Sequence, residues 1–408
     1  KGPVLRALTD EATCPLVRID GHVRRMQLRS GPRQFPPRTS ASGSAAMKPP
    51  NFPITICEKA VPRNARKATL AGKAAPLPPR LIRKIVVIGD TGCRLKATSS
   101  AWQACNISSD WPFARIAAKA AAARPDLVLH VGDYLYRENA CPVSNSGCAG
   151  SPWGYGLKAW EADFLRPAAP LLAAAPWLMV RGNHEACNRA GAGWWMLLDP
   201  HQLTRSADCA KASEDFAGNH TRPYAVELGG KARIIVADFA AIRDEHLKGA
   251  ALSRYRADAE TIRGLAQSGY TNFVTSHYPF YALTMRKKEL VVGYPSVDDA
   301  FGGGDFLPWL PHVTAMLAGH VHLLQYDARR GFPTQIVTGF SGTQEEAAEA
   351  PTGLASIRGL PLATGLHDIA SIPGHFGFGL LERLEDGRWR FTAYDLDGRV
   401  MLTRQLPG

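Results

Sequence analysis

The chain lacks any uninterrupted apolar run of about 18 residues, the length a helix needs to cross a bilayer. Its richest stretch, Leu165 to Val180, is broken by Arg166, Pro167, Pro170 and Pro176. It lacks Cys-x-x-Cys spacing, which argues against a zinc ribbon or a thioredoxin-like site. Between residues 1 and 84 the only aromatics are Phe35 and Phe52, too few for a platform on which nucleic-acid bases stack. No internal repeat is evident.

What is present is unevenly distributed. The length of 408 residues and the apolar share of 45% leave room for one large domain or two with a sizeable core. The net charge of +12 belongs to one end: residues 1–84 carry 17 Lys and Arg against 4 Asp and Glu, and the remainder 31 against 32. That segment reads as a solvated basic surface, with contact to an anionic envelope or nucleic acid as the alternative; no nucleic-acid partner is predicted. Lys1 is not an initiator Met, so a removed signal peptide is compatible with the sequence. Eight cysteines, an even number, suggest local pairs in sequence order: Cys14 with Cys57, Cys93 with Cys105, Cys141 with Cys148, and Cys187 with Cys209. Pairing favours an oxidising compartment, secreted or periplasmic; the alternative is reduced, buried Cys in a cytosolic protein.

Turn-forming Pro and Gly punctuate residues 1–80 between short alternating pieces, Leu16 to Arg18, Val23 to Leu28 and Phe52 to Cys57. These read as a small β-rich segment, followed by the stiff linker Pro76-Leu77-Pro78-Pro79. The rest, residues 81–408, is expected to form the main domain. From Lys84 onward, apolar runs typical of buried strands occur at Lys84–Ile88, Asp126–Val131, Trp177–Val180, Arg233–Ala237, Asn272–Thr275 and Val313–Leu317. Helices are expected after Ser109-Asp110-Trp111-Pro112, over Leu157–Ala175 and over Arg254–Gln267. Four more strands, Gln335–Thr338, Phe376–Arg383, Trp389–Asp395 and Val400–Gln405, close the chain, with Asp386-Gly387 and Asp397-Gly398 as turns. Gly342 to Gly374 is expected to be irregular and to shape a cleft. The pattern predicts an α/β fold of two mixed sheets packed face to face with helices outside.

Five motifs carry the chemistry: Gly89-Asp90-Thr91-Gly92, Gly132-Asp133-Tyr134-Leu135-Tyr136, Gly182-Asn183-His184-Glu185, Val274-Thr275-Ser276-His277 and Gly319-His320-Val321-His322. Four of the five come immediately after an apolar run, at the strand ends where ligands collect in open α/β sheets. Together they offer Asp90, Asp133, Tyr136, Asn183, His277, His320 and His322, enough donors for two metal ions with positions left open. Taken singly, each is weak. Tyr136 alone would read as a packed aromatic, His184 as a turn residue, and His-x-His as ordinary surface.

The ordered set resembles the calcineurin-like metallophosphoesterases, and specifically the purple acid phosphatases, over about residues 84 to 325. The resemblance implies a four-layer α/β/β/α sandwich with the metals at its edge. Most of the superfamily reads Asp-x-His in the first motif; here that position is Gly92, and a Tyr stands three residues after the bridging Asp133, the purple-type exchange. It implies one site of Asp90, Asp133, Tyr136 and His322, whose anionic oxygens suit Fe(III), and a second of Asp133, Asn183, His277 and His320, suited to divalent Zn, Fe or Mn. The implied reaction is hydrolysis of a small phosphate monoester by metal-bound hydroxide. His184 is the implied catalytic group, serving the leaving oxygen with a proton or electrostatic support, and Glu185 is expected to orient it. Two departures from the family pattern remain. Thr91 replaces a frequent Trp, a change expected to affect packing only, and no second acid-base His follows His277, where Tyr278-Pro279 and then Arg286, Lys287 and Lys288 occur. Phosphodiesterase or nucleotide hydrolase activity on the same site, and a non-catalytic metal-binding scaffold, are the alternatives.

Overall fold

The computed structural model describes residues 2–39, 43, 48–203, 208–242, 245–286, 289–301, 310–344, 350–351, 353–357 and 365–407. Among them, two large sheets face each other. The first runs in the order Trp177–Met179, Leu127–His130, Lys84–Ile88, Gly377–Arg383, Trp389–Asp395, Val400–Gln405. Its first three strands are parallel, and Lys84–Ile88 meets Gly377–Arg383 antiparallel. The second runs Tyr224–Gly229, Ala232–Val236, Thr271–Thr275, Val313–Ala318, Thr334–Thr338, Leu324–Arg329, Leu366–Ile372. Its second to fifth strands in that order are parallel.

Side-chain alternation explains the layering. Ile85, Val87, Leu127 and Leu129 of the first sheet meet Ile234, Val236, Phe273 and Leu317 of the second in one buried layer. The intervening Val86, Ile88 and Val128 point outward onto the helix Phe113–Ala122. On the other side Ile235, Val274 and Met316 are covered by Tyr255, Ala259 and Ile262 of the helix Gly249–Leu265. Strands buried on both faces are continuously apolar, so these runs were legible as strands. The result is the four-layer α/β/β/α sandwich.

Several expectations need correction. Leu157–Ala175 is not one helix. It is helical at Leu157–Trp160, takes a wider π turn at Glu161–Leu165, and becomes α-helical again at Ala169–Ala174. Pro167 and Pro170 have no N–H to carry the ladder across. Val23–Leu28 is likewise two strands, His22–Arg25 and Gln27–Ser30, in different sheets. The break falls at Met26, which turns into the small core beneath them. Part of Gly342–Gly374 lies outside the described residues, but Leu366–Ile372 within it is the edge strand of the second sheet.

Among the described residues between 4 and 75, a three-stranded and a four-stranded sheet surround an apolar cluster of their own, and Arg33–Gln34 pairs separately with Asn51–Phe52. Arginines fasten them to the rest of the chain. Buried Arg29 donates to the carbonyls of Trp195, Met196 and His201 and pairs with Glu58 at 2.7 Å. Arg38 grips Asp215, and Arg33 meets Asp208 at 2.7 Å. All four disulfides suggested by sequence order form, Cys14–Cys57, Cys93–Cys105, Cys141–Cys148 and Cys187–Cys209.

Candidate metal centre

Four of the five motifs begin just past the C-terminal end of a parallel strand and the fourth, Val274 to His277, runs off the end of Thr271–Thr275; three belong to the first sheet and two to the second. The facing sheets bring those ends to one edge. The buried pair Arg181 and Asp238, 2.9 Å apart, ties the third motif to the loop after Ala232–Val236. Asp90, Asp133 and His320 adopt left-handed backbone, with φ of 55°, 60° and 71°. Such conformations cost about 1–2 kcal/mol each in non-glycine residues and persist where surrounding contacts impose them.

The structure brings all seven candidate ligands together. The Tyr136 hydroxyl lies 2.8 Å from both Asp90 Oδ1 and Asp133 Oδ2, and 3.0 Å from His322 Nε2. Asn183 Oδ1 lies 3.0 Å from His277 Nε2 and 3.1 Å from His320 Nδ1. Asp133 Oδ2 joins the two groups, since His277 Nε2 is 3.2 Å away. Among the described residues, Asp90, Asp133 and His277 are a buried trio whose donor atoms all fall within 4.8 Å of one another.

These atoms are mostly acceptors. His277 Nδ1 donates to Val131 O and His322 Nδ1 to Gln344 O, at 2.9 and 3.1 Å. That leaves Nε2 of each ring facing inward, where it can serve a cation as a lone-pair donor once it gives up any proton it holds. The single Tyr136 proton cannot serve Asp90, Asp133 and His322 at once. Burial, then the Asp133 and Asp90 carboxylates, holds the phenol well above its usual range. Burial, then Asp133, pushes Glu185 up to about 8. Burial pulls His277 down, but Asp133 outweighs it and carries the ring up to about 9. Buried carboxylates that draw protons onto their neighbours, and a single phenol proton facing three acceptors, are a donor set that fits cations.

Glycine explains the first motif. A Cβ at Gly92 would lie 2.8 Å from Asp163 Oδ2, Tyr134 O and Tyr136 N. Buried Asp163 accepts the N–H groups of Cys93, Tyr136 and Arg137 and pairs with the Arg137 guanidinium. The carboxylate that anchors the Tyr136 loop therefore occupies the space a histidine at residue 92 would need. Gly182 is constrained in the same way, since its Cβ would fall 2.0 Å from Asp133 Oδ1. Thr91 does more than fill space: its Oγ1 lies 2.9 Å from Nε2 of buried His130.

Glu185 does not orient His184. Its carboxylate accepts the N–H groups of Gly182, Asp133, Tyr134 and Leu135, fixing the second motif against the third. The His184 ring is held by other groups. Nδ1 donates to Leu135 O at 2.9 Å, and Nε2 lies 2.6 Å from Arg189 Nη2. Arg189 pairs with Glu138, which also accepts the Tyr155 hydroxyl at 3.0 Å. Burial, then Arg189, holds His184 well below its usual range. Arg189, Glu138 and Asp163 carry no motif of their own, and spacing alone gave no signal for them. Of the cations after the fourth motif, Arg286 ends the strand Leu283–Arg286, while Lys287 and Lys288 lie outside the described residues. The Tyr278 ring stacks on His320, centroids 3.8 Å apart.

A family model for calcineurin-like phosphoesterases matches residues 83–324. No curated protein matches the chain by sequence. Among solved structures, the purple acid phosphatase PPD1 from seeds of yellow lupin (Lupinus luteus) superposes with a TM-score of 0.58 at 14% identity, over 99% of this chain and 74% of that one. PhoD gives 0.48 at 12% identity over 99% and 85%, and a dimetal phosphatase from Danio rerio 0.43 at 11% over 80% and 98%.

Proposed function

Because the chain belongs to the calcineurin-like phosphoesterase family, whose members bind two metal ions, we propose that it hydrolyses small phosphate monoesters at a purple-type dinuclear centre. The observation that carries this is the convergence of all seven candidate donors on one buried spot, with more acceptors around Tyr136 than its one proton can serve. Asp90, Asp133, Tyr136 and His322 would hold Fe(III), their anionic oxygens suiting a hard trivalent ion. Asp133, Asn183, His277 and His320 would hold divalent Zn, Fe or Mn. Two ions held there would supply Lewis-acid polarisation of the phosphoryl oxygens and would acidify a water.

The protein's own groups do the rest. Asp133 belongs to both ligand sets, and Glu185 with its amide contacts fixes the turn that carries it. His184 was expected to give the leaving oxygen either a proton or electrostatic support. Both its ring nitrogens are engaged, which favours the second: His184 and Glu138 hold the Arg189 guanidinium, whose charge reaches Asp133 and would offset the charge building on an ester bound there. His184 is then a positioning residue for Arg189. Four disulfides, and no helix among the described residues long and apolar enough to cross a membrane, support a secreted or periplasmic location.

Metal analysis combined with rates on paired mono- and diester substrates across pH tests the proposal. Two metals per chain, iron among them, a visible Tyr136-dependent absorption band and faster monoester turnover are expected. Asp133→Ala should lose both metals and all turnover. A colourless, iron-free, fully active enzyme would refute the Tyr136 assignment, and an active Asp133→Ala variant would sink the dinuclear centre.

A further inference from the structure

The basic N-terminal segment uses its arginines in two ways. Arg6, Arg29, Arg33 and Arg38 are ion-paired with Glu58, Asp208 or Asp215 and serve the packing described above. The sheet His22–Arg25, Leu16–Ile19, Ala68–Leu70, Lys73–Ala75 is different. Residues 16–25 and 66–75 contain Arg18, Arg24, Arg25, Arg66, Lys67 and Lys73 against the single acid Asp20. Asp20 already accepts the backbone N–H groups of Arg66 and Lys67. Arg18, Arg24, Arg25, Lys67 and Lys73 are exposed, and among the described residues none of them lies within ion-pair distance of a carboxylate.

The register shows which of these share a face. Leu16 lies opposite Arg25, and Arg18 opposite Val23 and Thr69. Val17 and Ile19 turn inward onto Ala68 and Leu70, so Leu16, Arg18, Val23 and Arg25 project from the outer face. Leu16 is 53% and Val23 45% exposed. The outer face is thus a short checkerboard of aliphatic and guanidinium side chains.

We propose that this sheet face docks the enzyme onto an anionic lipid surface, without spanning it. Charge complementarity selects an anionic partner, since the unpaired cations have no acid of their own to answer them. The aliphatic half of the checkerboard selects the bilayer. Leu16 and Val23 gain by entering a headgroup layer and gain nothing against a polyanion met by cations alone. The guanidinium groups remain at phosphate level while their stems follow the apolar contact.

Full-length protein is sedimented with phosphatidylcholine vesicles with and without phosphatidylglycerol, at low and high salt, and its binding to heparin is measured in parallel. Binding that requires phosphatidylglycerol and weakens with salt is expected. R18E/R25E should lower vesicle affinity at least about 25-fold, since each cation near an anionic bilayer contributes about 5-fold. L16S/V23S should weaken vesicle binding but not heparin binding. Both variants should keep wild-type turnover of a soluble ester, which controls for folding. Vesicle binding indifferent to phosphatidylglycerol, or unchanged in R18E/R25E, overturns the proposal. Unchanged vesicle binding by L16S/V23S alongside strong heparin binding overturns the lipid assignment in favour of a soluble polyanion.

Discussion

Asp163 links two sequence features that look independent. Its carboxylate anchors the backbone that presents Tyr136, and it occupies the volume beside Gly92. Gly92→Ala should therefore cost about 1–3 kcal/mol as an overpacking change and shift the visible band proposed for a Tyr136-bound iron, checked by thermal melting and a visible spectrum. Restoring a histidine there should fail to add a ligand. Arg189→Ala should lower kcat about 100-fold, the scale of losing one preorganised donor, with KM little changed, and Arg189→Lys should recover part of it; steady-state kinetics on both variants decides. The seven candidate ligands were legible because each sits in a short motif after an apolar run. Arg189, Glu138 and Asp163 were not, because an ordinary charged residue acquires a role only when loops distant in sequence fold together. Arg189 reaches Glu138 across 51 residues, and Asp163 reaches Cys93 across 70.

Central strands read clearly from sequence because they are apolar on both faces. Edge strands do not. Leu366–Ile372 is only half-buried along most of its length and mixes His367, Asp368 and Ser371 into its pattern. Beside it, the strand Leu324–Arg329 carries an unusual core residue. Asp327 is buried, and neither of its carboxylate oxygens has a hydrogen-bond partner. Burial, then the nearby Asp368 carboxylate, pushes it well above the usual range. A carboxyl raised in the folded state keeps its proton there while the unfolded chain releases it. Its stability contribution is therefore intact below the unfolded value near pH 4 and is lost as pH rises toward the folded value. Asp327→Asn should be more stable than the parent at neutral pH. The gain should grow by up to about 1.4 kcal/mol per pH unit across that window and vanish near pH 4. Urea titrations of both proteins at a series of pH values test this.

At the scale of the whole molecule, the basic N-terminal sheets are fastened to the stretch that follows the third motif. Arg29 is the central fastener, with no exposed side-chain surface and contacts to Trp195, Met196, His201 and Glu58. Arg29→Ala would strand those acceptors and should cost about 3–5 kcal/mol, the scale of removing one partner from a buried ion pair, read from a chemical melt. The boundary near residue 80 was drawn from composition, which cannot register a contact spanning 166 residues. The disulfides have the opposite character. Cys14 joins Cys57, Cys93 joins Cys105, Cys141 joins Cys148 and Cys187 joins Cys209, each ring closing before the next one opens. A chain threaded through a membrane pore from its N-terminus would present every pair complete before the following cysteine emerged. Oxidation in order of appearance then yields the native set directly, with no mispaired sulfur left to be exchanged by an isomerase.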